Sequence, residues 1–277
     1  MPIKISILKN TLINLYQKEK LSSYQVAKRL NCSQALIMKK LKIYKIKTRT
    51  IQQGKALTPP RYERKNFNDT KGEKAYLIGF RLGDLYVSKT HPNSPTIRVS
   101  CNSTKNEQLI LIRELFGSYG HVKEVGPDKK GATHIRCYLN NTFEFLMPKH
   151  PNIPSWILKS KKYSMFFLAG YLDAEGTFAI DNRNHPVFSA KSQDKGIMSD
   201  IHKYILPKIG VKTRLYFVRP AGSIIAGIIS NKDVFGIYVY NKKDLNKILK
   251  ELLPLLKHLK RKNDALKVLQ LINHVRS

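Results

Sequence analysis

Two acids, each closing an apolar stretch that carries small residues, offer the clearest chemistry in this sequence. The stretch Phe166-Phe167-Leu168-Ala169-Gly170-Tyr171-Leu172-Asp173-Ala174-Glu175-Gly176 reads as an apolar helix that ends in Glu175 and is followed at once by glycine. A glycine in that place is the usual mark of a helix C-terminus. The acid is out of place. A carboxylate in the last turn faces the negative end of the helix dipole, at a cost of about 0.3–1 kcal/mol. A nearby cation removes that cost, and a hard divalent metal held by oxygen ligands is the natural one.

An earlier stretch has the same layout: Tyr76-Leu77-Ile78-Gly79-Phe80-Arg81-Leu82-Gly83-Asp84-Leu85. Leu77 aligns with Leu168, Gly79 with Gly170, Gly83 with Ala174 and Asp84 with Glu175. Gly79 and Gly83 are four apart, so they share one helix face and allow a second backbone to approach closely. Ala169, Gly170 and Ala174 give the second helix a matching stripe. Two helices crossing on these stripes would bring Asp84 and Glu175 together. Paired carboxylates with bridging divalent ions suit in-line cleavage of a phosphodiester, which needs an activated water and a stabilised leaving oxygen. Mg²⁺ fits because it keeps its waters and takes phosphate oxygens, so few protein ligands suffice; Mn²⁺ or Ca²⁺ could take the same place. The main-chain carbonyls of Gly83 and Ala174, freed at the helix ends, are further expected ligands. Asp173 lies off that face, with Leu82 as its counterpart, and reads as structural or capping.

On these residues the chain resembles the LAGLIDADG homing endonucleases in their monomeric, two-motif form. LAGYLDAEG is a close match to the motif. LIGFRLGDL is looser, with Leu82 where the family often has an acid and Leu85 in place of the last glycine. The resemblance covers about residues 71–277. It implies sequence-specific, metal-dependent cutting of both strands of a long double-stranded DNA site, with Asp84 and Glu175 as the catalytic acids, each serving one strand. It also implies a basic residue near each scissile phosphate, for which Lys149 and Lys260 are the positions that match. The same fold can serve a non-cleaving DNA-binding regulator or an intron maturase, in which case RNA is the partner. A pure binder, however, has no use for two acids beside phosphates.

Composition agrees with a polyanionic partner. The 277 residues carry 50 Lys and Arg against 19 Asp and Glu, a formal charge of +31. Such a surface binds nucleic acid through counterion release. A hydrophobic content of 42% is too high for a disordered basic tail. Cys32, Cys101 and Cys137 are too few and too scattered for a zinc cluster or a disulfide framework. No apolar run is long enough for a signal peptide or a membrane span, so an intracellular place is expected, in cytoplasm, nucleoid or an organelle.

The elements that must position the acids repeat. Each motif helix is followed by strand, strand, helix, strand, strand and helix, and the motif acids lie 91 positions apart. The expected fold is α+β: two pseudo-symmetric αββαββα halves, 71–160 and 161–277, forming a DNA-binding saddle, plus a small all-α domain. Alternation puts Arg98, Ser100 and Asn102 on the polar side of one strand and His134, Arg136 and Tyr138 on that of another. In the second half Ser189, Lys191 and Gln193 take this place, and Lys212 and Arg214 are expected on a strand after Gly210. A sheet surface of this kind can read base edges in the major groove.

Residues 1–47 read as three helices. The first, over 3–17, has Ile5, Leu8, Leu12 and Leu15 inward, and Ser22 or Ser23 caps the second. Asn31 turns, and Ser33 caps the third. This resembles a helix-turn-helix, whose last helix would bring Ser33, Gln34 and Lys39 to DNA. An ordinary three-helix cap with a solvated basic face is the plainer alternative. Residues 48–70 lack periodicity and read as a basic linker.

Overall fold

The motif segments are helical because thirteen to fifteen residues run without proline from a hydroxyl cap. In the computed structural model, which describes residues 7–57, 62–92, 94–225 and 228–274, Thr70 accepts a hydrogen bond from the Glu73 amide and Ser160 one from the Tyr163 amide. The chain divides into two units, Met1–Arg61 with His91–Pro95, and Tyr62–Thr90 with Thr96–Ser277.

The smaller unit has α1 (Lys9–Leu12, continued by a π-helical turn, Ile13–Lys18), α2 (Ser23–Arg29), α3 (Gln34–Ile43) and α4 (Ile51–Leu57). Ser22 and Gln25 form a reciprocal capping box on α2, and Ser33 caps α3. Asn31 turns with φ of 48°, which its short side chain tolerates. Leu12, Val26, Ile37 and Leu41 are fully buried. Leu8 is extended and exposed, so the helix starts at Lys9 and Ile7 takes the inward place expected of Leu8; Ile5 lies outside the described residues.

The stretch expected as a linker is structured at both ends. Arg49 stacks 4.1 Å over the Tyr16 ring and donates to the Leu21 carbonyl at 3.1 Å. Thr50 and Gln53 cap α4 reciprocally, at 2.9 and 3.2 Å. The Lys65 amide donates to the Tyr119 carbonyl at 2.8 Å, and the Phe67 ring packs edge-on to Phe143 and Phe145.

The larger unit runs α5 (Lys71–Gly83), β1 (Tyr86–Lys89), β2 (Ile97–Ser103), α6 (Asn106–Phe116), β3 (His121–Val125) and β4 (Thr133–Leu139), then a 3₁₀ turn (Asn141–Leu146) and α7 (Ser155–Leu158). The second lobe repeats it: α8 (Lys161–Glu175), β5 (Gly176–Ile180), β6 (Pro186–Ser192), α9 (Lys195–Asp200), β7 (Tyr216–Arg219), a small hairpin β8 (Ile224–Ile225) and β9 (Ile228–Ile229), β10 (Val234–Val239), α10 (Lys242–Leu252) and α11 (Leu259–His274). The sheets have equivalent orders, β1-β2-β4-β3 and β5-β6-β10-β7, and all their pairings are antiparallel. The hairpin is the insertion that lengthens the second half. No described helix is long and apolar enough to cross a membrane.

Both lobes share one core because α5 and α8 cross backbone to backbone. A Cβ on Gly79 would lie 2.2 Å from the Phe167 carbonyl oxygen, and one on Gly170 would lie 2.1 Å from that of Tyr76. Around this contact Tyr76, Phe80, Phe167 and Tyr171 are fully buried. Overpacking a close contact costs about 1–3 kcal/mol or more and moves the backbone. Gly170→Val is therefore expected to lower the melting temperature by several degrees, whereas Lys250→Leu, at an exposed site on α10, leaves it unchanged. A thermal melt of the two variants beside the parent checks this.

Candidate active site

The crossing sets the two motif ends side by side. A Cβ on Gly83 would stand 2.5 Å from the Ala174 Cβ and 2.8 Å from the Glu175 Cγ, so only glycine fits between the acids' helices. Asp84 follows α5 directly and Glu175 is the last residue of α8. Gly176 is not the left-handed terminus its position suggests, since its backbone is extended and opens β5. It is small because a Cβ there would be 2.5 Å from Leu172 Cδ2.

Asp84 is half-buried, and Glu175 keeps an exposed edge although much of it is packed among its neighbours. Burial pushes the Asp84 carboxyl up, partly opposed by the Gln108 amide, which donates to Asp84 Oδ2 at 2.8 Å, and by Arg261 and Lys105. Burial also pushes Glu175 up, and the charges of Asp84 and Asp194 add to it, against Lys149 and Arg261. Two acids set side by side at neighbouring helix ends, with the charge of Asp84 felt at Glu175, suit a divalent cation. The Gly83 and Ala174 carbonyls lie at the same helix ends, where intrahelical partners run out. Among the described residues no group of three or more His, Cys, Asp or Glu surrounds a metal position, so any ion there would complete its shell with waters or phosphate.

A cavity of about 270 Å³ opens beside Asp84, lined by Cys101, Lys105, Gln108, His258, Lys260 and Arg261 among others. Lys260 lies on its rim, exposed and paired with Asp264 at 2.6 Å. Arg261 points inward and acts on Asp84, Asp173 and Glu175 together. Lys149 pairs with Asp194 at 3.6 Å and faces Glu175. The sequence reading missed Gln108 and Arg261, although helical phase marks both. Gln108 shares its α6 face with buried Ile112, Leu115 and Phe116, and Arg261 shares its α11 face with buried Ala265, Val268 and Ile272. A polar residue on an apolar stripe was the available signal.

The polar sheet faces come out largely in register. Arg98 pairs with Tyr138, Ser100 with Arg136 and Asn102 with His134, and β3 adds His121 and Lys123 on the same rows. Behind them Val99, Ile135, Cys137 and Leu139 are buried, and Ser100, expected on the open face, is buried too and donates to the Tyr86 carbonyl at 3.4 Å. In the second lobe Ser189 pairs with Tyr238, and the Lys191 ammonium sits 5.5 Å from the Tyr238 ring. Gln193 lies just past β6 and donates to the Ser230 hydroxyl at 3.2 Å. Lys212 and Arg214 are exposed but not on a strand, a correction to the expectation. Gly210 turns left-handed at φ of 67°, Val211 drops into the core, and pairing resumes only at Tyr216. In the smaller unit the Ser33 hydroxyl accepts from the Leu36 amide, Gln34 donates to Ser23 at 2.9 Å, and Lys39 is exposed.

A family model described as a LAGLIDADG-like domain matches residues 162–252. No curated protein matches the sequence. Among solved structures, the homing endonuclease I-WcaI bound to its DNA recognition sequence is 16% identical over 71% of this chain and 86% of that one, with a TM-score of 0.50. I-DmoI in complex with DNA and Mn is 17% identical over 69% of this chain and 100% of that one, at a TM-score of 0.47. The meganuclease I-AabMI bound to uncleaved DNA is 13% identical over 73% and 90%, at 0.45. At such identities the likeness concerns the fold. The chain thus carries a LAGLIDADG-like domain at residues 162–252 and has the two-lobed α+β fold of the LAGLIDADG family.

Proposed function

We propose that the chain is a sequence-specific, divalent-metal-dependent DNA endonuclease that acts as a monomer. The observation that carries this is the meeting of Asp84 and Glu175 at the crossing of α5 and α8, in a chain of net charge +31. A protein that only held DNA would lose affinity by keeping two acids beside phosphates. Asp84 and Glu175, with the Gly83 and Ala174 carbonyls, would hold Mg²⁺, which supplies an activated water and charge stabilisation for the leaving oxygen. Mn²⁺ or Ca²⁺ could bind the same oxygens. The ligands named for a relative, DNA and Mn with I-DmoI, support a metal and a duplex here.

The side chains around the acids have separate tasks. Arg261 and Lys149 would bring positive charge to a phosphate beside the acids, and Lys260 at the cavity rim would meet the backbone beyond. Gln108 fixes one Asp84 oxygen and leaves the other without a hydrogen-bond partner among the described residues. The rows Arg98, Asn102 and His134, Arg136, Tyr138, with Ser189 and Lys191, would face base edges. Gln193, Lys212 and Arg214 would flank them, and the helix-turn-helix candidate would extend the footprint through Ser33, Gln34 and Lys39.

Cleavage selection on a randomised duplex library with Mg²⁺ and an EDTA control tests this, with recovery of a defined cut site expected. Binding without cutting under every divalent ion would instead favour a regulator, and retention of RNA alone a maturase. On the recovered duplex, Asp84→Asn or Glu175→Gln is expected to abolish double-strand cutting while affinity stays or rises. Full cutting by either variant would sink the assignment.

The raised acids make a metal-free prediction. Burial raises both in the folded state, so their own contribution to stability in EDTA is fullest at low pH and is lost as pH rises through their folded-state titration. The Asp84→Asn, Glu175→Gln double variant should lack that loss, and Mg²⁺ should raise the melting temperature of the parent alone. Melts between pH 4 and 9 read both, on the order of a few degrees each.

A chain beginning at Tyr62 should still cut the recovered duplex at high protein concentration, with weaker binding and a shorter footprint. An unchanged footprint would leave residues 1–61 as a cap.

A further inference from the structure

Each lobe sends a basic segment to the other lobe's motif acid, and Arg261 reaches Glu175 of its own lobe as well. The second lobe's segment, residues 257–261, lines the cavity that contains Asp84 of the first motif. The first lobe's segment, residues 149–153, brings Lys149 to Glu175 and Asp194 of the second. Both segments are tied down by buried acids other than the motif pair, Asp173 and Asp200. Asp173 Oδ2 accepts from the Lys257 amide at 2.7 Å, the His258 amide at 3.2 Å and the Tyr76 hydroxyl at 2.6 Å. Lys257 also pairs with Glu73 of α5 and lies 4.7 Å over the Tyr76 ring. At the other end, Asp200 Oδ2 accepts from the Ile153 amide at 2.8 Å and the Asn152 side chain at 3.3 Å. Gly196 lets the Pro151 carbonyl in, since a Cβ there would be 2.1 Å from that oxygen.

We propose that the lobes exchange their basic segments, with Tyr76–Asp173 positioning His258–Arg261 for the strand served by Asp84, and Asp200 positioning Lys149 for the strand served by Glu175. This rests on the endonuclease reading of the paired acids. The two ties share no residue, so each is expected to govern one strand. By the register of the motifs, the counterparts of Tyr76 and Asp173 are Phe167 and Leu82. Neither can make this hydrogen bond. Tyr76–Asp173 is therefore not a by-product of the repeat, and it occurs where a segment from the other lobe docks.

The test uses the full chain, Mg²⁺ and the duplex recovered by selection, with the two strands labelled separately. Tyr76→Phe deletes one hydroxyl and leaves Asp173 its two backbone donors, so the fold is kept. It is expected to slow one strand about tenfold and to accumulate a nicked product. Asp200→Asn is expected to do the same to the opposite strand, and Asp200→Ala to do so more strongly. Amide hydrogen exchange is expected to quicken at Lys257 and His258 in the first variant and at Ile153 in the second, with global melts close to the parent. Equal slowing of both strands, or the same strand slowed by both variants, would overturn the exchange. So would parental rates with quickened exchange. If the parent cuts no duplex, the endonuclease reading fails first and the positioning role falls with it; the amide exchange then reports the ties alone.

Discussion

Contact between two helix backbones governs this protein. Gly79 and Gly170 bring α5 and α8 to a separation that no Cβ allows. Dispersion, not charge, holds this crossing, and it is strong because aromatic rings close around it. Tyr76 and Phe80 stack at 6.3 Å on one helix, Phe167 and Tyr171 at 6.2 Å on the other. The position of the acids then follows by geometry. Helices that touch in their middle and run out together leave their last residues as neighbours, with Gly83 and Ala174 as the spacing between them. The site is a consequence of the crossing, so its acids need not be near each other in sequence.

That arrangement leaves a charge problem in a chain with few acids. Asp84, Asp173 and Glu175 are all pushed up by burial, and each feels Arg261. One guanidinium cannot satisfy three carboxylates, and Asp173 Oδ1 has no hydrogen-bond partner among the described residues. Asp173 is instead served through its other oxygen by three donors, as a buried carboxylate requires. The pair at the crossing has fewer donors and shares Arg261, with Lys105 acting on Asp84 and Lys149 on Glu175. Residual frustration of this kind is tolerated at functional sites because a ligand relieves it.

The sequence revealed what periodicity and repetition encode. Alternation over residues 97–102 and 134–139 reports a sheet with one wet face, and the observed pairing Arg98 to Tyr138 follows from it. The constant offset between motifs reports the duplication. What escaped the reading depends on contacts between distant segments. Lys212 and Arg214 follow an alternating pattern, yet Val211 is drawn into the core and delays the strand. Residues 62–70 look aperiodic because Phe67 is held by rings far along the chain, at Tyr119, Phe143 and Phe145. Lys260 and Arg261 are indistinguishable as neighbours in a basic run. Only their phase against Ala265 and Val268 tells which one turns inward.

Duplication makes two lobes alike, but a shared core forces them to differ. The residues that meet across the pseudo-axis have counterparts, and each pair of counterparts sits in a different environment once the lobes acquire different ends. The chain runs from the first lobe into α8, and so residues 149–154 are drawn tight between 3₁₀ turn and helix. Residues 257–261 instead lead from α10 into a long terminal helix. The two segments carry equivalent charges to equivalent places along unlike paths, and they therefore need unlike anchors. A carboxylate on the motif helix serves one, and a carboxylate at the end of α9 serves the other. Where a motif position bears no anchor, nothing demands polarity there. Leu82 accordingly stays apolar and buried beside Arg81, while Asp173 at the matching position is buried with its Oδ2 taken by three donors.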